Sequence, residues 1–353
     1  MYTPQGVDNF DFAATTGYFI GVDASSFGVL VLRSIANPAT SPTISSNVFI
    51  SVPTTAFPLL VPHLGNNLGA QGKLDAIDDR LMNAHIRKNK LWTVHNVGVN
   101  NNGTSSSTTR NGCRWYQINL TSTPTLIQSG TLFTQSDSND LNQRFYWMPS
   151  IMTSGQGHMV IGCSTAGSQE HINAAIAGKL AGQALRTLTL FTSSSTAYNP
   201  PFDTGGSRGR RWGDYSNVSL DPKDNMTMWT IQEFCNGTNR FAVQIAKIAA
   251  PPPATPISVT PSTISHNKTS VALTITGKRI NGSGFYDPGI NFPIRLNVKI
   301  GNGVTVKSIQ YISPIKISIT VSTVNVKVGV KPIITIINPD GQRISAAGLL
   351  TVN

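Results

Sequence analysis

Residues 80–99, RLMNAHIRKNKLWTVHNVGV, contain the pattern that decides the fold. Two largely apolar runs flank the polar pair Asn89-Lys90 in this stretch. Strand-forming runs joined by a short polar turn are typical of an antiparallel β-hairpin. Two further runs of this kind follow after polar loops, at 113–120 and 125–134. The stretch therefore predicts a sheet of four antiparallel strands.

The same arrangement recurs with a spacing of about 65–69 residues. Helical signals are nearly absent, and four segments can be set in phase, at 8–12, 79–83, 147–151 and 212–216. In the third repeat the strand-like runs are 146–153, 158–165, 173–179 and 185–193. Four antiparallel strands per repeat is the blade of a β-propeller. We therefore predict an all-β fold in which residues 1–250 form a propeller-type domain of about four repeats.

Two of the repeat starts carry tryptophan, Trp147 and Trp212. Large aromatic side chains at equivalent positions of a repeat contribute strongly to packing. We expect both tryptophans to be buried between neighbouring blades.

A proline-rich stretch at 251–256 is the only strong domain boundary, because polyproline segments form stiff spacers. Residues 257–353 contain about seven strand-like runs, which suits an immunoglobulin-like β-sandwich. This region resembles the IPT/TIG class of immunoglobulin-like domains through Pro261-Ser262, Leu273–Gly277 and the turn Asn338–Gly341. The resemblance implies a spacer or stalk in a secreted bacterial protein.

The chain of 353 residues carries a formal net charge of +11, concentrated near its C-terminal end. Residues 255–353 contain ten lysines and arginines against two aspartates. Lysines alternate there with isoleucine and valine, as in Lys316-Ile317-Ser318-Ile319, which places them on one strand face. We interpret this as a solvated face and predict no nucleic-acid partner. An anionic surface such as an acidic glycan or lipopolysaccharide is the alternative.

The composition suits an extracellular or cell-surface protein, because polar uncharged residues dominate over charged ones. No stretch approaches the roughly 20 apolar residues of a membrane span. The first residues lack the basic and apolar regions of a signal peptide, so we expect a removed signal or an excerpt of a longer chain. The three cysteines, Cys113, Cys163 and Cys235, lack metal-ligand spacing and predict buried thiols, or one disulfide and one thiol.

The most specific passage is 211–230. Ser219-x-Asp221 followed by Thr227-x-Trp229 resembles a stretched Asp-box, the hairpin motif of sialidase-like propellers. The resemblance implies that Asp221 accepts turn amides and that Trp229 packs beneath the turn. Both residues would then be structural.

The wider set of repeat motifs resembles a family of uncharacterised secreted bacterial propellers. The matching pieces are 74–82, 112–116, 147–151 and 211–215. The resemblance implies export and fold but no reaction, and further blades normally precede the matching region. We therefore expect either a longer native chain or self-assembly with a chain that completes the propeller. Residues 1–30 should then pack against something outside this chain or be the least well-ordered part of it.

Arginines near the repeat starts are the main candidates for ligand binding. Arg80, Arg114 and Arg211, with Trp212, form the predicted ligand-binding set. A sialidase-like hydrolase would need such arginines to hold a carboxylate, a Tyr–Glu pair as nucleophile and an acid as proton donor. These catalytic roles would fall on the three residues Tyr215, Glu233 and Asp214.

Metal binding has weaker support. Asp75, Asp78 and Asp79 are close enough in sequence for a Ca²⁺ loop, although Asp79-Arg80 also suits an ordinary ion pair. No other cofactor is predicted. The leading hypothesis is a non-enzymatic secreted or cell-surface protein, an adhesin or surface-assembly component whose ligand is a glycan or another protein. The alternative is a sialidase-like glycoside hydrolase or lyase that acts on acidic glycans.

Overall fold

The computed structural model describes residues 1–135 and 142–353, which form an all-β protein. One short 3-10 turn, Gly69–Gly72, interrupts the strands. The chain divides into two compact units. The first contains residues 1–153, 157–219 and 229–247, and the second contains residues 154–156, 220–228 and 248–353. No helix in the described part of the chain has the length and hydrophobicity needed to cross a membrane.

The first sheet begins earlier than the sequence predicts. Its strands are β1 (Tyr2–Gly6), β3 (Thr16–Val22), β4 (Val29–Ala36), β5 (Thr43–Ile44) and β6 (Val48–Ser51), whereas β2 (Asp8–Asn9) leaves it for the second sheet. The predicted repeat start at 8–12 is therefore wrong, and a strand does precede Asp8. Strand β1 is not predicted from the sequence, because it contains Pro4 and Gly6 and both residue types disfavour strands. They are tolerated since β1 lies at the sheet edge.

The second sheet confirms the predicted four-stranded repeat. It consists of β7 (Asn83–Arg87), β8 (Lys90–Val99), β9 (Arg110–Asn119) and β10 (Thr125–Leu132), with β2 added in parallel to β7. The hairpin turn is Lys88-Asn89, and both residues have positive φ, as a two-residue type I′ turn requires. The Asp11 carboxylate accepts both turn amides at 2.7 Å, which holds this strained conformation.

The third sheet also follows the predicted repeat. Its strands are β11 (Phe145–Thr153), β12 (Met159–Gly167), β13 (Glu170–Lys179) and β14 (Thr189–Leu190), paired in chain order. A bulge interrupts β11 between Trp147 and Ser150, where Met148 has a φ of 50°. The bulge lets the Met148 amide donate to Asn96 Oδ1 at 3.2 Å.

The fourth sheet has three strands in the described chain, β15 (Asn217–Leu220), β16 (Met228–Gly237) and β17 (Arg240–Ile248). β17 pairs with β16 and, within the described residues, with no strand of the first sheet. Phe241, Val243 and Ile245 are exposed along β17. The fourth sheet therefore presents an apolar edge strand.

Successive sheets of the first unit pack on one another. Ile20, Leu30 and Leu32 of the first sheet share a core with residues of the second. A second core joins the second and third sheets, and includes Trp92, Trp115, Tyr146 and Ile161. Sheets that follow one another in the chain and pack face to face form a β-propeller arrangement.

Trp147 and Trp212 are 0% and 4% exposed, so their predicted burial is confirmed. Their ring centroids lie 6.2 Å apart, and Tyr198 meets Trp212 edge to face at 5.1 Å. The three cysteines are buried free thiols. Cys113 on β9 and Cys163 on β12 belong to one core and lie close enough for each thiol to affect the other.

The second unit contains two sheets on one core. One sheet has the order β18 (Thr255–Thr260), β20 (Val271–Lys278), β23 (Lys316–Ser322) and β22 (Thr305–Ser313), and β19 (Thr263–Ile264) pairs separately with β26 (Thr351–Val352). The other sheet consists of β21 (Asn297–Ile300), β24 (Ile334–Ile337) and β25 (Arg343–Ala346). Ile317 and Ile319 are buried in the shared core, whereas Lys316 is exposed. This is the lysine alternation that the sequence predicts.

The turn at 220–228 differs from the expected Asp-box. Asp224 holds the turn together with Asp221: the Asp224 carboxylate accepts from the Met226 and Thr227 amides and from the Thr227 hydroxyl, at 2.6–2.8 Å. Asp221 accepts the Lys223 amide. Trp229 is 38% exposed, and the Lys247 ammonium lies 6.0 Å from the centre of its ring.

Candidate functional site

Two segments that are 136 residues apart run side by side in the first unit. Leu74 and Arg210 form a parallel bridge, and the Asp75 amide donates to the Arg210 carbonyl at 2.7 Å. The residues after each bridge partner, 75–80 and 211–215, therefore emerge together. They overlap the predicted starts of the second and fourth repeats, at 79–83 and 212–216.

The segment 75–80 is held in a strained shape. Ile77 has a φ of 59°, which is rare for a β-branched residue. Its amide donates to Asp75 Oδ1 at 2.7 Å, and Asn96 Nδ2 donates to the Ala76 and Asp78 carbonyls. His95 Nδ1 donates to the Asp79 carbonyl at 2.5 Å. The buried strand β8 thus fixes the backbone that carries the acidic residues.

Asp78 is the shared acceptor in the first ion pair of the site. Arg80 Nε and Nη2 each donate to a different oxygen of Asp78 at 2.7 Å, which is a bidentate geometry. The Tyr2 hydroxyl donates to Asp78 Oδ2 at 2.8 Å, and Arg80 Nη1 reaches the Tyr215 hydroxyl at 3.5 Å. Burial acts to raise the pKa of the Asp78 carboxyl, but the Arg80 and Tyr2 hydrogen bonds outweigh it and hold the pKa below its usual value.

Arg211 forms a second set of ion pairs. Its Nη1 lies 3.3 Å from Asp75 Oδ2, and its Nη2 lies 2.7 Å from Asp214 Oδ1. The side chain of Arg211 is 66% exposed, so this pair faces solvent. Exposed pairs of this kind contribute little to stability.

Glu233 on β16 lies beneath the segment 211–215. The Gly213 amide donates to its carboxylate, and a Cβ at position 213 would overlap that carboxylate. Any other residue at position 213 would require the Glu233 side chain to move. Burial raises the pKa of Glu233, and the nearby Asp214 charge raises it further.

Together these residues form one surface, which we call the arginine–carboxylate cluster. Its members are Asp75, Asp78, Arg80, Arg211, Asp214, Tyr215 and Glu233.

Arg114 lies apart from the cluster. It is buried on β9, where Nε donates to Thr131 Oγ1 at 2.5 Å and Nη2 donates to the Gly103 carbonyl at 3.0 Å. Trp212 is adjacent to the cluster in sequence, but its indole Nε1 donates to Ser164 Oγ at 3.2 Å within the core. The structure therefore brings together two of the three predicted arginines, with Tyr215, Asp214 and Glu233.

Two of the three aspartates proposed for Ca²⁺ form ion pairs with arginine, and the third is buried. Asp75 and Asp78 pair with Arg211 and Arg80, whereas Asp79 is buried. Among the residues the structure describes, no three His, Cys, Asp or Glu side chains are grouped as metal ligands.

Two residues that contribute to the site were not predicted from the sequence. Tyr2 comes from β1, which the sequence pattern hides, and Asn96 lies in the middle of an apolar run. An Asn in a buried strand is a polar residue that needs partners, and that is the signal that could have found it.

The arrangement combines planar, bidentate donors and acceptors with exposed tyrosine. Such groups suit ligands that carry many hydroxyls, since arginine donates and carboxylate accepts in fixed directions.

No protein-family model matches the chain, and no curated protein matches it. Among solved structures, a protein of unknown function from Dyadobacter fermentans DSM 18053 is 10% identical over 90% of this chain and 75% of its own, with a TM-score of 0.35. A Penicillium chrysogenum α-L-arabinanase complexed with arabinobiose is 9% identical over 66% of this chain and 71% of its own, with a TM-score of 0.31. A GH43_12 protein retrieved from a capybara gut metagenome is 9% identical over 99% and 77%, with a TM-score of 0.32. Likenesses of this strength say nothing about activity or ligand.

Proposed function

We propose that the chain is an extracellular or cell-surface binding protein without enzymatic activity, and that the arginine–carboxylate cluster contacts a glycan. The observation that carries this proposal is the convergence of two arginine–carboxylate sets with exposed Tyr215 on one surface. Segments far apart in sequence supply these groups, and a strained backbone at Ile77 positions them.

The charges of the cluster favour a neutral glycan over an acidic one. Arg80 and Arg211 already pair with carboxylates. An acidic sugar would have to displace one of these internal carboxylates and leave it without its partner. Neutral hydroxyls can instead bridge the existing pairs as both donors and acceptors.

The second unit supports a role outside the cell as a spacer. We propose that it is an immunoglobulin-like domain that begins within the proline-rich stretch 251–256, because Ala254 lies in its core and Thr255 and Pro256 lie in β18. Its surface lysines keep the sheets soluble and unpaired, as a stalk at a surface requires.

An array of neutral and acidic glycans tests the proposal, followed by calorimetric titration of the bound glycans. Arg211→Ala and Tyr215→Ala should each weaken binding by about tenfold, since both side chains are exposed on the cluster. Arg343→Ala, in the second unit, is the matched control and should bind as the unchanged chain does. Binding of acidic glycans alone, or full binding by Arg211→Ala, would refute the proposal.

A second candidate is a glycoside hydrolase that uses Glu233. The observation in its favour is the raised pKa of Glu233 beside Asp214, which forms an ion pair with Arg211. Carboxyl groups in contrasting environments are the arrangement that acid–base glycoside hydrolysis uses. Aryl glycosides provide the test: turnover that Glu233→Gln abolishes while glycan binding persists would establish an enzyme and replace the binding-only proposal.

A further inference from the structure

A cavity of about 270 Å³ opens in the first unit beside the arginine–carboxylate cluster. Its walls come from Tyr2, from the turn between β3 and β4, and from Phe57, and Asp79 completes the lining. Tyr2 also donates to Asp78, so the cavity shares one wall with the cluster. The proposed glycan function does not use this cavity.

Three aromatic rings line the cavity. Phe27 and Phe57 meet edge to face, with centroids 5.0 Å apart and planes at 89°, so they form a corner. They are 49% and 59% exposed, and Tyr2 is 40% exposed. Three partly exposed aromatic side chains around one cavity leave apolar surface open to a ligand. The hydrogen bond from Tyr2 to Asp78 fixes the third ring.

The charge of the lining is negative. Asp23 and Asp79 are its ionisable carboxylic acids, and no lysine, arginine or histidine is among the lining residues of the described chain. Asp23 Oδ1 accepts from the Ser25 amide and hydroxyl at 2.9 and 2.6 Å, and these hydrogen bonds lower the pKa of Asp23. The Met1 amino group also acts on Asp23, from outside the lining.

Asp79 lacks a partner for its carboxyl group. The residue is 5% exposed, and among the described residues its carboxyl hydrogen-bonds only its own backbone amide. Burial raises the pKa of Asp79, and the Asp78 charge adds to this effect. A buried carboxyl that is bonded only to its own amide can accept further hydrogen bonds or a cation from a ligand.

We propose that this cavity binds a small organic ammonium cation, of the trimethylammonium or methylated-amine class. Aromatic faces attract a cation through the ring quadrupole, and quaternary ammonium groups are recognised in this way by aromatic cages. Asp23 supplies compensating negative charge, and a bound cation would favour the ionised form of the Asp79 carboxyl. A neutral sugar would gain from the aromatic faces but would leave the carboxyl groups without a charged partner.

Calorimetric titration of the full chain with choline tests the charge requirement. The matched ligand is 3,3-dimethylbutan-1-ol, which has the shape of choline without its charge. Choline should bind at least about tenfold more tightly than the alcohol. Equal binding of the two, or binding of neutral sugars alone, would overturn the proposal.

Variants of the lining test its location. Phe57→Ala and Asp79→Asn should each weaken choline binding by about tenfold. Phe49→Ala is the control, because Phe49 is 61% exposed in the same sheet but does not line the cavity. Thermal melting of each variant shows whether it is folded, and unchanged binding by a folded Phe57→Ala chain would refute the assignment. Because glycan binding rests on Arg211, loss of choline binding with retained glycan binding separates this proposal from the previous one.

Two sources could supply the cation, a free amine or a choline headgroup on a surface. Flotation with phosphatidylcholine vesicles, compared with phosphatidylglycerol vesicles, identifies the second source. Binding of free choline without capture by vesicles would identify a free amine as the ligand. Capture by phosphatidylcholine vesicles that free choline prevents would identify the lipid headgroup as the ligand. Absence of both would refute the proposal.

Discussion

Trp147 and Trp212 illustrate packing at the scale of the residue. Both rings are buried in one core, and the Trp212 indole N–H has its partner in Ser164. Removing either ring would leave a void larger than the surrounding side chains can fill.

Replacement of Trp147 or Trp212 by alanine should lower the free energy of unfolding by about 3–5 kcal/mol. Chemical denaturation followed by circular dichroism measures the change. Trp229→Ala is the matched control: the ring is 38% exposed and should cost about 1 kcal/mol or less. Similar costs at all three positions would show that the two core tryptophans contribute no special packing.

His85 and His95 are buried neutral residues. Burial lowers the pKa of His85 to about 3 and of His95 to about 4. The unfolded chain takes up protons at these positions below about pH 6.5, and the folded chain does not. Stability from each histidine is therefore present above pH 6.5 and is lost as the pH falls from there, down to about 4 for His95 and about 3 for His85.

The free energy of unfolding should fall by about 1.4 kcal/mol per pH unit for each of these histidines below pH 6.5. His85→Gln should reduce this slope by the contribution of one histidine, about 1.4 kcal/mol per pH unit, because glutamine does not titrate. Denaturation at pH 7, 6 and 5 measures both slopes, and carboxyl contributions cancel in the comparison. The exposed His266→Gln should leave the slope unchanged. Equal slopes for His85→Gln and the unchanged chain would contradict the assignment.

At the scale of the element, the sequence predicts strands well where apolar runs are long. The second and third sheets follow the predicted runs closely, because their strands are buried on both faces. β1 could not be predicted, since its place in the sheet depends on pairing with β3. The same limit applies to the site. Arg80 and Arg211 were predictable from the repeat starts, but the position of Arg114 depends on the loop that covers it.

The exposed strand β17 carries the next prediction. Val243→Lys should reduce self-association of the chain, because a charge on an apolar edge blocks pairing with another strand. Sedimentation velocity over a concentration series measures association. Val328→Lys, at a position 61% exposed in the second unit, is the control. If Val243→Lys associates as strongly as the control, β17 is not the associating edge.

At the scale of the molecule, the two units have separate cores. Every buried residue in the core of the second unit lies between Ala254 and Val352. The short stretches 154–156 and 220–228 that also belong to this unit add no member to that core. The information for this core is therefore contained in one continuous part of the chain.

Residues 248–353 produced alone should fold and unfold in a single cooperative transition. A core contained in one segment does not need the rest of the chain for its burial. Thermal unfolding followed by circular dichroism tests this. A non-cooperative melt would show that residues 220–228 are needed, and adding these residues as a peptide should then restore the transition.

The buried thiols of Cys113, Cys163 and Cys235 have a consequence for the time course of folding. Burial raises the pKa of the Cys113 thiol, and its neighbour Cys163 adds to the effect, so the folded chain holds little of the reactive thiolate there. An unfolded copy in an oxidising compartment offers all three sulfurs to cross-linking at once. The thiols are therefore protected from oxidation only after the sheets have packed over them. If the chain folds in such a compartment, the relative rates of sheet packing and thiol oxidation decide how many copies reach the native fold with free thiols.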